Sequence, residues 1–419
     1  MMPEMPPKCR LKMDMGLDKF SNLPSDVIEK ILLLLPIRDA VRTSVLSNKW
    51  RYRWAKLPQL VFDGQCVSSQ NHTSFVTIVD HALLVHIGPL HSFKLSQQGF
   101  LASRDIDRWI VHLSRHSIKE FKLELHEGQC YNIPSCLFSW QDMIHLKLKN
   151  CFLKPLPTFK GFRSLKRLDI VRVTLAQDVL ENLIVCCPLL KTLTFIDCDG
   201  FTRLKIDAPK LQFLGFRGRF DDVILENTIN LDAVTIYLEV TVDQRWVPHS
   251  SSNLVLFFLH LPRVRRLAIR SNFLKYLAVS ALTRKVPKPC LHLKFLTIEI
   301  HFNDLEEILT AVRLLRSSPA LQELEIAAFP KDRAVVGEVN SWLDDNLIWS
   351  FTKLRLVKIT SISGAKAELD FIRFLLLSSP VLERMTIKPA SVNGSSELLK
   401  KLLRLGRASV HSEIIYLDP

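Results

Sequence analysis

Glycine is scarce in this chain, 13 among 419 residues, and none of it falls in the spaced clusters that cradle a phosphate. G-x-S-x-G and H-E-x-x-H are missing too, so phosphoryl-transfer, serine-hydrolase and zinc-protease chemistry have no motif to stand on. The chain therefore reads as a non-enzyme with no catalytic residue and no cofactor. Long apolar runs are also lacking. Ile31 to Leu35 is far short of the roughly 20 residues that cross a bilayer. The first sixteen residues hold Pro3, Pro6 and Pro7 with Lys8, Arg10 and Lys12 and no apolar signal core, so 1–16 reads as a flexible leader. Cysteine is present but unpatterned: nine, scattered from Cys9 to Cys290, none at metal-ligand spacing with histidine. No metal site is expected. Cys186-Cys187, before Pro188 at an apolar helix end, read as buried small hydrophobes, and a reducing compartment, nucleus or cytoplasm, fits a soluble protein.

Acidic side chains do not gather into a site either. Asp105/Asp107, Asp221/Asp222 and Asp344/Asp345 lie in polar stretches where helix caps or solvated loops account for them. His81, His86 and His91 recur every five residues, which does not align them on one helical face. Basic residues are in excess, 56 against 42 acidic, a net of +14. Residues 261–294 hold nine of them and no Asp or Glu; Lys285 and Lys288, near Pro287 and Pro289, fit a solvated loop. Charge alone would allow nucleic acid as a partner, but no recognised binding motif or aromatic platform accompanies it.

What is present begins with Asp18 to Trp54. Pro24 suits a helix start, and Asp26 and Glu29 favour the positive end of the helix dipole. Val27, Ile28, Ile31, Leu32 and Leu35 recur at helical spacing until Pro36, with Leu33 and Leu34 adding apolar bulk beside the stripe. A second short helix is expected over Asp39 to Leu46, and a third, capped by Ser47, would carry Trp50 and Trp54. So small a unit buries little by itself, which points to a partner surface. Leu23-Pro24, Ile31 to Pro36, Arg38-Asp39-Ala40-Val41, Ser44-Val45-Leu46-Ser47 and Lys49-Trp50-Arg51 resemble the F-box family. The resemblance implies three helices that bind a Skp-type adaptor, and through it a cullin scaffold, as the substrate receptor of a ubiquitin ligase. The adaptor contacts it implies, with apolar character, are Leu23, Pro24, Ile28, Ile31, Leu32, Leu35, Pro36, Val41, Val45, Leu46 and Trp50.

Beyond Leu57 the unit L-x-x-L-x-L recurs. It is clearest at Met143 to Leu153, Leu165 to Ile170 and Leu190 to Cys198, which follow the leucine-rich repeat template. Anchored on its second apolar position, the series runs Leu60, Phe93, Phe121, Leu146, Leu168, Leu193, Leu214, Val234, Leu267, Leu296, Leu324, Val357 and Met385, at spacings of 20 to 33 residues. A strand with one apolar face cannot bury it alone, so stacked parallel strands should line the concave face of an arc with helices on the convex face. Cys186-Cys187-Pro188, Ser317-Ser318-Pro319 and Ser378-Ser379-Pro380 mark the ends of helices before the next strand.

Phe351 to Ile359, Ser363-Gly364, Glu368 to Leu376 and Ser379 to Ile387 resemble the FBD module that plant F-box proteins carry after their leucine-rich repeats. The expected fold is α/β: a leader at 1–16, a three-helix F-box at 17–57, a leucine-rich repeat solenoid at 58–345, an FBD capping unit at 346–388 and a terminal cap at 389–419. In that cap Asn393-Gly394 is read as a turn and Ile414 to Leu417 as an edge strand.

Positions flanking the anchors should face the concave side. There Lys147, Lys149, Arg167, Arg217, Arg266 and Arg270 form a basic line with Phe213 and Tyr237 interleaved, followed by Glu299, Glu323 and Glu325. An acidic or phosphorylated segment of a substrate protein is the partner this line suggests. A non-degradative repeat scaffold and a ligand-dependent co-receptor remain alternative readings.

Overall fold

The computed structural model describes residues 23–66, 72–100, 104–126, 128–219, 222–238, 263–271, 273–274, 277, 290–329, 350–392 and 395–418. The leader, Lys285 and Lys288, Asp344/Asp345 and the Asn393-Gly394 turn lie outside the described residues. No helix among the described residues is long and apolar enough to cross a membrane.

Helix α1 (Ser25–Leu34) starts after Pro24, which caps it rather than entering it, and ends before Pro36. Helix α2 (Ile37–Arg42) runs into a tighter turn at Thr43–Val45. The expected third helix is a run of turns from Ser47 and one short turn at Trp54–Lys56, because Tyr52 takes a left-handed backbone and breaks it.

Strands with helices interspersed then follow. They are β1 (Gln59–Asp63), α3 (His72–Val85), β2 (Ser92–Ser96), α4 (Arg104–Leu113), β3 (Glu120–Glu124), β4 (Tyr131–Asn132), β5 (His145–Phe152), β6 (Arg167–Thr174), α5 (Gln177–Val185) and β7 (Thr192–Ile196). Next come β8 (Arg203–Asp207), β9 (Phe213–Gly218), β10 (Asp222–Glu226), β11 (Ala233–Leu238), β12 (Arg266–Ser271), β13 (Phe295–Ile300), α6 (Leu305–Arg316) and β14 (Glu323–Ala328). The series closes with β15 (Leu356–Ile362), α7 (Lys366–Ser378), β16 (Arg384–Pro389), α8 (Ser395–Leu403) and β17 (Glu413–Tyr416).

One long sheet, parallel throughout, runs β1-β2-β3-β5-β6-β7-β9-β11-β12-β13-β14-β15-β16-β17, with β4 beside β5. Every repeat anchor read from sequence sits opposite the next: Leu60 faces Phe93, Leu146 faces Leu168, Leu324 faces Val357, and Met385 continues to Ile414 on β17. The anchors point into a single core. The three proline-marked ends follow α5, α6 and α7 as expected.

Spacing decides what backs each strand. Where anchors lie 25 to 33 residues apart, helices such as α3, α6 and α7 fit behind. Where they lie 20 or 21 apart, after Leu193 and Leu214, there is no room for one; β8 and β10 take that place and pair with each other. Helices therefore do not back every strand.

A second recurring device lies four residues past the anchor. Asn150, Arg172, Asp197 and Ser361 all adopt left-handed backbone there. The slip lets the next residue, Cys151, Val173 or Ile362, turn back into the core.

Candidate functional site

The residues expected to contact an adaptor fall into two sets. Ile28, Leu32 and Trp50 are buried, and with Ile37, Ala40 and Trp54 they form the small interior of the helical unit, so their role is to hold the helices together. Lys49 donates to the Leu23 carbonyl at 2.6 Å, and Arg53 reaches Ser25 at 3.2 Å, tying the turn that carries Trp50 to the start of α1. The Leu-Pro and Lys-Trp pairs are thus one clasp. Leu23, Ile31, Leu35 and Pro36 are half-buried, whereas Pro24, Val41, Val45 and Leu46 are exposed. Val45 is 86% exposed and Leu46 55%. Leu34, also 86% exposed, lies outside the set expected from sequence; its signal is an apolar residue off the buried stripe of its own helix. Leu33 joins it at 39%.

All eight residues of the expected substrate surface emerge on the sheet face opposite the anchors. Arg217, Tyr237 and Arg270 stand side by side on β9, β11 and β12, and Phe213, Ala233, Arg266, Phe295 and Glu323 form a second row across β9 to β14. The basic line is not bare, however. Lys147 pairs with Glu124 at 3.0 Å, Arg167 with Asp169 at 2.6 Å, Arg217 with Asp197 at 3.2 Å and Arg270 with Glu299 at 4.0 Å. Lys149 meets His126 at 3.0 Å, and burial followed by the nearby Arg172 charge pushes its ammonium pKa down. Arg217 stacks on Tyr237 and Arg266 on Phe295, with 4.8 and 4.4 Å to the ring centres.

The same face carries a feature missed in sequence. Lys94, Lys122 and Lys147 occupy the position after the anchor on β2, β3 and β5, in register with one another. Applying the repeat template to Phe93 and Phe121 would have found them. Lys122 pairs with Glu120 at 3.4 Å, while Lys94 meets no carboxylate among the described residues.

Among the groups that could suggest catalysis, Asp105, Asp107, His86 and His91 have structural partners. Asp105 pairs with Arg108 at 2.8 Å; Asp107 accepts from the Tyr131 hydroxyl, whose pKa is driven upward by burial and by that carboxylate. His86 bonds to the Leu57 carbonyl at 2.9 Å and His91 to that of Ser117 at 3.3 Å. The described cysteines are free thiols, and burial raises Cys187 to about 12, an inert state. Among the described residues no cluster could hold a metal ion.

Comparison with known proteins finds three family models along the chain. The family model for the F-box domain matches residues 20–61, that for the LRR repeats of the FBD-associated F-box protein At5g56370 matches 106–326, and the FBD model matches 352–387. The chain is 39% identical over 414 residues to the F-box/FBD/LRR-repeat protein At1g13570 of Arabidopsis thaliana, covering 96% of this chain and 99% of that protein. It is 27% identical to the putative F-box/LRR-repeat protein At4g15060 of the same plant, over 88% of this chain and 95% of the relative. With its helical unit, its parallel repeat sheet and its terminal module in this order, the chain belongs to the F-box/FBD/LRR-repeat protein family.

Proposed function

We propose that the chain is the substrate-recognition subunit of an SCF-type ubiquitin ligase. The F-box docks on a Skp-type adaptor and, through it, a cullin, while the open face of the repeat sheet holds a target protein. Ubiquitin transfer belongs to other subunits of that assembly. The supporting observation is Leu34, Val45 and Leu46, aliphatic side chains left in solvent by a unit whose own interior is already closed by Ile28, Leu32 and Trp50. Such a patch serves no packing purpose within the helical unit itself. For the substrate, Lys94, Lys122 and Lys147 in register suggest an acidic or phosphorylated segment, with Lys149, Arg167, Phe213, Arg217, Tyr237, Arg266 and Arg270 in the flanking rows continuing the contact.

The test is co-purification of the full chain with a Skp-type adaptor. The partner-side variant is Val45→Asp with Leu46→Asp, because Trp50→Ala would empty the helical interior and confuse loss of binding with loss of fold. Wild type should retain the adaptor and the double variant should lose it at unchanged thermal stability. Retention by neither would leave a repeat scaffold, and equal retention by both would remove Val45 and Leu46 from the contact.

A further inference from the structure

A trough of about 500 Å³ crosses the open face from β9 to β16. Its floor is made of short side chains, Thr235, Ala268 and Thr297, set in the column after the anchors. Along one side stand Arg266, Phe295 and Glu323, neighbours on three consecutive strands. Arg266 is exposed, has no carboxylate partner among the described residues, and lies over the Phe295 ring at 4.4 Å. Glu323 is exposed as well and has no ion pair among the described residues, although most charges on this face are paired. Two opposite charges thus face one trough without meeting each other.

This arrangement fixes a distance. Strands in a sheet are about 4.8 Å apart, so β12 and β14 are separated by roughly 9.5 Å, and the lean of Arg266 over β13 shortens the gap between the charges to somewhere from about 5 to 9.5 Å. A free amino acid carries its two charges too close together to span it. An extended chain does span it: side chains on one side recur at about 6.7 Å in a strand and about 9.3 Å in polyproline II. Phe295 lies between the charges, where apolar or proline residues pack.

We infer that the trough binds an extended segment of the substrate protein carrying an acidic residue at Arg266 and a basic residue at Glu323, with one or two residues between them lying over Phe295. The inference rests on the reading of this face as the substrate surface, and it replaces a uniformly acidic ligand, at this end of the face, with a bipolar one of fixed spacing.

The test is binding of the full chain to an array of ten-residue peptides holding one acid and one base in either order, with zero to five residues between. Binding should peak at one or two intervening residues and favour one order. Arg266→Glu or Glu323→Lys alone should each weaken the best peptides about tenfold. Combining the two substitutions should restore binding but reverse the preferred order, which a merely structural effect would not do. Binding indifferent to spacing, or an unreversed order in the double variant, would overturn the inference. Adaptor retention is read on the same proteins: adaptor bound with no spacing preference sinks the trough alone, whereas loss of the adaptor in wild type sinks the receptor reading.

Discussion

Replacing Glu368 should loosen the terminal module more than its position at the edge of the repeat sheet suggests. Its side chain, 6% exposed, turns back from the first turn of α7 into the loop after β15. One carboxylate oxygen accepts from the Ser363, Gly364 and Ala365 amides at 3.0, 2.7 and 2.9 Å and from the Ser363 hydroxyl at 2.9 Å. Hydrogen bonds to a charged group are worth about 1.5 to 3 kcal/mol each, and a buried amide left without an acceptor costs about 1 to 3 kcal/mol. These terms do not add, and water reaches part of the loop once the side chain is gone. The estimate for Glu368→Ala is therefore about 3 to 4 kcal/mol, near the upper end for single substitutions. Glu368→Gln keeps an acceptor but loses the charge, and should cost about 1 to 2 kcal/mol. Stacked repeats open locally, so the assay is hydrogen exchange at the amides of the first turns of α7 and the end of β15 rather than a global melt. A loss of 3 to 4 kcal/mol appears there as a fall in protection of about a hundredfold to a thousandfold. Unchanged protection in Glu368→Ala, or a Gln variant as damaged as the Ala variant, would refute the account. Glu307 performs the same task at α6, accepting from the His301 amide and ring nitrogen at 3.0 Å each.

Gly161, at φ +86°, has no space for a side chain: a Cβ there would stand 2.0 Å from the Cys186 carbonyl oxygen. Gly161→Ala should cost more than about 3 kcal/mol by chemical denaturation, against about 1 kcal/mol for Gly99→Ala, where φ is +72° but the space is open. Burial pushes the Asp169 carboxyl up, but hydrogen bonds from His145, Arg167 and Thr194 and the Arg167 charge outweigh it and hold the pKa at about 2. Because the folded value is depressed, this stabilisation is complete above the ordinary carboxylate pKa and is lost as pH falls from about 4 toward 2; Asp169→Asn should abolish that dependence and cost on the order of 2 kcal/mol at neutral pH in a denaturant titration. His112 and His116 are shifted down, first by burial and then by positive neighbours, Arg115 and His86 for one and His112 and His86 for the other. Their neutral forms are favoured in the fold, so stability is full above pH 6.5 and declines below it; thermal melts of His116→Gln should show a shallower decline.

The anchors were legible because burial enforces them: each strand needs one apolar face, and a residue such as Leu214 or Val234 that failed it would open the core. The helix ends were legible for a similar local reason, the inability of proline to continue a helix at Pro188, Pro319 and Pro380. What escaped depends on space and on distant partners. The replacement of helices by β8 and β10 follows from short repeats, which the spacings contained but the template did not interpret. The ion pairing of Lys147 with Glu124 needs the cross-strand register, since the two residues lie on different strands. Ile28 and Val45 are both apolar in sequence, and only packing makes one interior and the other surface.

The F-box also closes one end of the sheet. Leu32, Leu33, Leu35 and Ile37 line a narrow gap of about 30 Å³ against Leu57, Gln59 and Val61 of the first strand and its approach. The Ile87 amide donates to the Ala55 carbonyl at 2.7 Å, and His86 to Leu57 at 2.9 Å, so α3 is fastened to the chain leaving the helical unit. Core residues continue without a break from Trp54 through Leu57 to Leu60. A protein of residues 58–419 should therefore expose the open edge of β1 together with the apolar surface that α2 covers, and such edges template association. Light scattering should show it self-associating at concentrations where the full chain stays dispersed. If the shortened chain is as dispersed and as stable as the whole, the F-box is a separate module on a tether. If it associates, the exposed F-box patch and the open face of the repeat sheet are parts of one packed body, and their relative direction is set by the register of β1 against the F-box.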